Sequence, residues 1–271
     1  MLVMYGRRRV GKTTLISHFA GNFFTSSGYL YEEPSNLLKQ ELREPIKYNR
    51  IIEAIAHGAS RLNEIATKSG LDTAAAANYT STLIALGIIQ KETAITEEKN
   101  KRKTLYRIRD SMFLFWYRYV QGNDFAIVTG DMDSLYETEI KPDLNRFMGY
   151  IFETICAEYL GVINGKDGLP FKIRELGRWW GSNPLTKTEE EIDLVGINPK
   201  LSSALFYECK YKEQMADSGV LQALKTKADL WRGYEHKYYM LFLKRGFTKE
   251  LRAEVARQAN VYLVSLADMY Q

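Results

Sequence analysis

Cysteine and histidine are nearly missing from this sequence, with two of the first and three of the second in 271 residues. Cys156 falls in a helical pattern and Cys209 in a strand pattern, which speaks against a disulfide framework and for a reducing cytoplasm. Neither stands at metal-ligand spacing from a histidine, so no zinc site is expected. Long apolar runs are missing too. The richest, Met112 to Val120, is far short of the roughly 20 residues a spanning helix needs and is interrupted by Arg118, so no membrane partner is expected. Met1 to Tyr5 leads straight into a glycine-bearing loop, which leaves no room for a secretory signal. Charge of one sign is also scarce. A net charge of +4 permits contact with nucleic acid without demanding it. The 45% hydrophobic and 26% charged content belongs to a globular protein with room for two small domains.

What is present begins at the sixth residue. Gly6-Arg7-Arg8-Arg9-Val10-Gly11-Lys12-Thr13, with Thr14 behind it, is a complete G-x-x-x-x-G-K-[ST] phosphate loop. The apolar Met1 to Tyr5 reads as a strand and Lys12 to Ala20 as a helix. Between them backbone N–H groups, the helix N-terminus and Lys12 would cradle the phosphates of ATP while Thr13 ligates Mg²⁺. The parallel sheet served by such a loop is lacking. Before Pro34 no apolar strand ends in the acidic residue that holds Mg²⁺, and Glu32-Glu33 after Tyr29-Leu30-Tyr31 is too short a candidate. A parallel pair also needs a crossover of a dozen or more residues. Residues 1–34 are therefore expected to be a remnant with a residual ATP-binding loop and no ATPase turnover, or else a vestigial segment packed on the rest.

Residues 35–120 predict a winged helix-turn-helix. Asn36 can cap Leu37 to Arg43, Glu44-Pro45 makes a break, and Tyr48 to His57 shows one apolar face before Gly58. Ser60 caps Arg61 to Lys68 with Glu64 at capping-box spacing, and Gly70 ends it. Asp72 caps Thr73 to Leu86, closed by Gly87. Two alternating runs, Ile88 to Lys91 and Thr104 to Ile108, flank a charged tip carrying Lys99, Lys101, Arg102 and Lys103. In such a fold the third helix enters the major groove and the wing touches phosphates. Its first three turns carry no Arg or Lys, so the commonest base-specific contact, to guanine, is lacking. Asn78 remains to read adenine and the wing tip to hold the DNA backbone; the alternative is a winged helix used for protein packing. Asp110 to Val120 is too aromatic to be left in water and predicts a helix across this domain. Gln121 to Gly130 reads as a loop.

Residues 121–271 predict an αβββαβ order. Phe147 to Leu160 is a helix presenting Glu153 among apolar neighbours, followed by a strand at Phe171 to Leu176 and the Trp179-Trp180 pair. Glu191 to Ile197 alternates, turns at Asn198-Pro199-Lys200, and is answered by Ala204 to Lys210. Helix Val220 to Arg232 and strand Lys237 to Leu243 complete the set. Alternation puts Glu208 and Lys210 on one face of a strand, and the hairpin spacing lets Asp193 point to the same side. Asp193 and Glu208, with the Cys209 carbonyl, are hard oxygen ligands for Mg²⁺ or Mn²⁺. Lys210 would position the attacking water or stabilise the pentacovalent state, and Glu153 would orient a water or bind a second ion.

Asp193, fourteen residues and then Glu208-Cys209-Lys210 resembles the PD-(D/E)XK nuclease superfamily over roughly Phe147 to Leu243. The resemblance implies metal-dependent phosphodiester cleavage with Asp193, Glu208, Lys210 and Glu153 as catalytic residues. After Lys210 the helix offers Gln222 without a tyrosine four residues later, so the accessory Q-x-x-x-Y element of one subgroup is absent. The three parts in order also resemble a prokaryotic, chiefly archaeal, family. In it a P-loop ATPase is followed by a winged helix and a C-terminal domain of unknown function related to those nucleases. The phosphate loop, Tyr31-Glu32-Glu33-Pro34 through Glu41-Leu42-Arg43-Glu44-Pro45 as the end of the ATPase lid, and Glu191-Ile192-Asp193 with Glu208-Cys209-Lys210 carry that likeness. The ATPase body is missing between about Ala20 and Tyr29. The expected function is a DNA-associated protein with a metal-dependent nuclease-like domain; the alternatives are an ATP-binding regulatory switch and a non-catalytic DNA-binding protein.

Overall fold

The computed structural model describes residues 21–95, 104–184 and 186–270. The phosphate-loop residues Gly6 to Thr14, the strand and helix expected around them, and the wing-tip cations Lys99, Lys101, Arg102 and Lys103 lie outside the described residues. The described chain divides into two compact units. One takes the residues through Glu92 together with Thr104–Leu144; the other takes those from Thr93 in the wing and from Asn145 onward.

In the first unit, helices α1 (Glu33–Glu41) and α2 (Pro45–Ala56) each carry a proline in the opening turn, Pro34 and Pro45. In place of the break expected at Glu44-Pro45 and the cap expected at Asn36, each helix takes its proline into the first turn, because the ring fixes a helical φ and the missing N–H belongs to a turn whose donors have no helical partner anyway. Helix α3 (Leu62–Ser69) opens with the Glu64 carboxylate accepting the backbone N–H groups of Ser60 (3.0 Å) and Arg61 (3.1 Å). It closes at Gly70, whose φ of +68° favours a residue without a Cβ. Helix α4 (Thr73–Ala85) is capped by Asp72, which accepts the Ala75 N–H at 2.8 Å. Strands β1 (Ile89–Thr93) and β2 (Thr104–Ile108) form a two-stranded sheet, tied back where Tyr106 N–H donates to the Ser60 carbonyl at 2.7 Å.

Helix α5 (Ser111–Tyr119) holds this unit together. Trp116 Nε1 donates to the Tyr31 carbonyl at 2.6 Å, Tyr117 bonds Asn49 of α2, and Phe115 meets Phe23 and Phe24 edge-on. Arg118 grips the Asp143 carboxylate, which also accepts the Tyr119 hydroxyl at 2.9 Å. Residues 121–130, expected as a loop, contain α6 (Asp124–Thr129), ended by Gly130 at φ +77°. Six residues are too few for an apolar period to declare itself. After α7 (Met132–Leu135) a 25-residue helix, α8 (Lys141–Gly165), begins well ahead of the expected Phe147.

The second unit is a five-stranded mixed sheet in the order β3-β4-β5-β6-β7, comprising β3 (Glu175–Ser182), β4 (Glu189–Asn198), β5 (Ser203–Lys210), β6 (His236–Leu243) and β7 (Val261–Ser265). The first three strands are antiparallel, and β6 and β7 run parallel to β5. Helix α9 (Ser218–Ala228) joins β5 to β6, and α10 (Lys249–Val255) joins β6 to β7. The last helix and strand lie beyond the expected end of the order. The strand expected at Phe171 to Leu176 starts instead at Glu175. Asn164, in the last turn of α8, binds both the N–H (2.9 Å) and the carbonyl (3.2 Å) of Ile173, and so holds that segment against the helix rather than in the ladder. The Trp179-Trp180 pair then falls within β3, and both indoles are buried. Across the whole of the described chain, no helix is long and apolar enough to cross a membrane.

Candidate functional site

Strand β5 is central and apolar on both faces, and Glu208 is the one charged residue among its buried positions, at 5% exposure. Alternation sends Phe206, Glu208 and Lys210 to the face where Phe206 meets Trp231 and α9 packs. Tyr207 and Cys209 face α8. There the Cys209 thiol is hydrogen-bonded with Cys156, a contact that, with burial, holds it well above its usual range. Both cysteines are free and buried, and a thiol so held is unreactive.

Asp193 reaches the same neighbourhood through an irregularity in β4. Gly177 pairs with Val195 and Trp179 with Ile192, so Asp193 and Leu194 together oppose the single residue Arg178. That is a β-bulge, which bends a strand and re-aims a side chain. The ladder between β4 and β5 runs from Asn198↔Ser203 to Leu194↔Tyr207 and stops there. Beyond it the Asp193 carboxylate takes the place of a ladder carbonyl and accepts the Cys209 N–H at 2.7 Å. Burial raises the Asp193 pKa to about 6, helped by the negative charges of Glu208 and then Glu153, against the Cys209 N–H and Lys210, which lower it. Of the four residues singled out in the sequence, Asp193 feels the charges of Glu208, Glu153 and Lys210, and Lys210 pairs with Glu208.

Their partners differ. Glu208 pairs with Lys210 through Oε1 and, through Oε2, with Lys227 of α9 at 3.4 Å. Burial works against the Lys210 ammonium, but the attraction of Glu208 outweighs it and the pKa lies above the ordinary value. Glu153 faces Arg178 at 3.9 Å, and Arg178 also pairs with Glu191. Lys227 and Arg178 went unmarked in the sequence reading. Lys227 differs from Lys225, two residues away on the same helix, only in which side of α9 it occupies, and Arg178 gains its place from the bulge opposite. Neither signal is local.

Two carboxylates and the Cys209 carbonyl suit Mg²⁺ or Mn²⁺, whose sites commonly use one or two protein carboxylates and complete the shell with water and phosphate oxygens. Among the described residues no three His, Cys, Asp or Glu side chains gather into a protein-only metal cage. Asp193 and Glu208 are therefore the candidate protein donors for such an ion.

On the first unit, α4 presents Thr73, Ala74, Asn78 and Ser81 to solvent while Ala76, Thr80 and Leu83 are buried. Asn78 is thus free of the core and placed on the outer face of the third helix of the motif.

Comparison with known proteins finds two family matches in the chain. Residues 49–93 match the IclR helix-turn-helix domain, so the first unit carries a helix-turn-helix with its wing. Residues 116–223 match a family described as archaea bacterial proteins of unknown function, DUF234. The chain is 36% identical over 230 residues to an uncharacterized protein, MJECL04, of Methanocaldococcus jannaschii; the match takes in 82% of this chain and 49% of that protein. The chain spans about half the length of that curated relative. The crystal structure of protein VC1899 from Vibrio cholerae, 14% identical, aligns over 84% of this chain and 55% of that one with a TM-score of 0.34, too loose to define a shared fold.

Proposed function

We propose that this chain binds DNA through its winged helix-turn-helix and cleaves phosphodiester bonds at Asp193, Glu208 and Lys210 with Mg²⁺ or Mn²⁺. One observation carries the catalytic part. Asp193 is largely buried and lies in the negative field of Glu208 and Glu153, against its own ionisation, an arrangement that a bound cation would relieve. The likeness of Asp193 and Glu208-Cys209-Lys210 to the PD-(D/E)XK nucleases supports the same reading. A bound divalent ion would acidify water and neutralise charge on the phosphate. Asp193 and Glu208 would hold it with the Cys209 carbonyl. Lys210, at the end of β5 where it is partly exposed, would donate to the oxygen on which negative charge develops. Glu153, held by Arg178, would keep the local potential negative and orient water. Asn78 and the wing-tip cations Lys99, Lys101, Arg102 and Lys103 would hold the duplex with little base discrimination, since most contacts would be to phosphate.

The reading is tested by incubating the full chain with supercoiled DNA and Mn²⁺. Cleavage is expected, lost on the order of a hundredfold in Lys210→Ala, in line with removal of one charge-stabilising donor. Equal cleavage by wild type and variant sinks the assignment. A second proposal rests on the complete motif at Gly6 to Thr14, which would bind ATP with Mg²⁺ through Lys12 and Thr13 and regulate the other parts. Thermal stabilisation by millimolar ATP, absent in Lys12→Ala, is the expected result.

A further inference from the structure

Glu208 is one buried carboxylate with two lysines upon it, and they arrive from different directions. Lys210 lies two residues along the same strand and takes Oε1, while Lys227 comes from α9 and takes Oε2 at 3.4 Å. The carboxylate side chain is 7% exposed, against 34% for Lys210 and 23% for Lys227, so both lysine side chains reach solvent while the acid is nearly shut off from it. An ordinary buried ion pair needs one cation for one anion. A second cation on the same carboxylate exceeds what neutralising one charge requires, and it takes the Oε2 oxygen that a metal ion held by Glu208 could also use. Asp193, which feels the charge of Glu208, accepts the Cys209 N–H and is stabilised at longer range by Lys210, but among the described residues it forms no ion pair. The paired lysines thus stand on one carboxylate of the two.

We infer that Lys227 is a counter-ion that competes with the divalent cation for Glu208 and, once displaced, serves as a second phosphate-contacting lysine. The inference rests on the cation-site reading above and adds to it a residue that the strand motif does not contain. Without a cation Lys227 pairs with Glu208. A divalent cation held by Asp193 and Glu208 would leave the Lys227 ammonium without that partner. Its stem, anchored on α9 beside the buried Leu224 and Ala228, then leaves the head within reach of a substrate phosphate. Displacement by one ion and recruitment by another would couple metal loading to DNA engagement.

Opposite signs in two measurements make this testable. Mn²⁺ is titrated calorimetrically into the full chain as wild type, Lys227→Met, Lys227→Arg and Asp193→Asn, and cleavage of supercoiled DNA is then followed at saturating Mn²⁺. Lys227→Met keeps the apolar stem and removes the charge. It is expected to bind Mn²⁺ roughly tenfold more tightly, the scale set by an opposite charge within about 4 Å of a carboxylate. The same variant is expected to lose cleavage on the order of tenfold to a hundredfold. Lys227→Arg should stay near wild type in both, and Asp193→Asn should lose Mn²⁺ binding. Unchanged Mn²⁺ affinity in Lys227→Met, with wild type binding and Asp193→Asn not, overturns the role of Lys227 and leaves the cation site standing. Failure of every variant and the wild type to bind Mn²⁺ overturns the cation site and this inference with it. A merely structural Lys227 would weaken both binding and cleavage, and that result also overturns it.

Discussion

The two units handle buried charge in opposite ways. In the first, Arg118 grips the Asp143 carboxylate, with the Tyr119 hydroxyl on the same carboxylate and the Ala56 carbonyl on the guanidinium at 3.3 Å. Every polar atom in that cluster has a partner whose charge or lone pair answers it, and the cluster fastens α5 to the start of α8. In the second, burial and then the negative charges of Glu208 and Glu153 push Asp193 toward protonation near neutral pH. A matched pair secures a fold, because removing either member strands the other. A buried acid in the field of like charges costs stability and is kept for what it can attract.

The sharpest way to break this contrast is to remove one charge from each side. Asp143→Ala leaves Arg118 without its carboxylate in a largely buried place and is expected to cost about 3 kcal/mol of stability in the first unit, read by urea unfolding. Asp193→Asn should act the other way and stabilise the metal-free second unit at pH 7 by about 1–2 kcal/mol, after discounting for its partial exposure. Asparagine can still accept the Cys209 N–H, so the loss falls on the charge and not on the hydrogen bond.

The pH profile sharpens the same comparison. Asp193 has a folded-state pKa raised from 3.8 to about 6, so the native state holds a proton that the unfolded chain has released. Its contribution is fully present below about pH 4 and is lost as pH rises through 6. In EDTA, unfolding free energy should therefore fall across that window, and the fall should vanish in Asp193→Asn. A flat wild-type profile would remove the case for crowding. The smallest expected effect tests the first unit alone: Asp72→Ala, which strips the cap from α4, should cost about 1 kcal/mol, seen as a lower midpoint of thermal unfolding.

Much of the first unit was legible because its signals act over three or four residues. Glu64 reaching back to Ser60 and Arg61, Asp72 capping α4, and Gly70 turning the chain are contacts that a linear reading can find. Where the reading went wrong there, at Pro45, a residue allowed in one turn of a helix was taken for one that ends it. In the second unit the alternation of β5 was visible, and with it the common face of Glu208 and Lys210. The bulge at Asp193 was not, because a bulge is defined by what stands on the neighbouring strand. Lys227 was not, because nothing in its own vicinity tells which side of α9 meets β5. The pull of Asn164 on Ile173, which delays β3, spans nine residues and leaves no periodic trace.

By itself the sequence determined the caps and turns and the alternation that pairs Glu208 with Lys210, both of which rest on backbone geometry within a few residues. Only the tertiary structure decided that Asp193 is raised toward neutral pH, that Arg178 answers Glu153, and that a second lysine stands on Glu208. Those outcomes depend on how far each charge is removed from water and which other charges share its surroundings, and both are sums over strands and helices that the chain brings together only by folding.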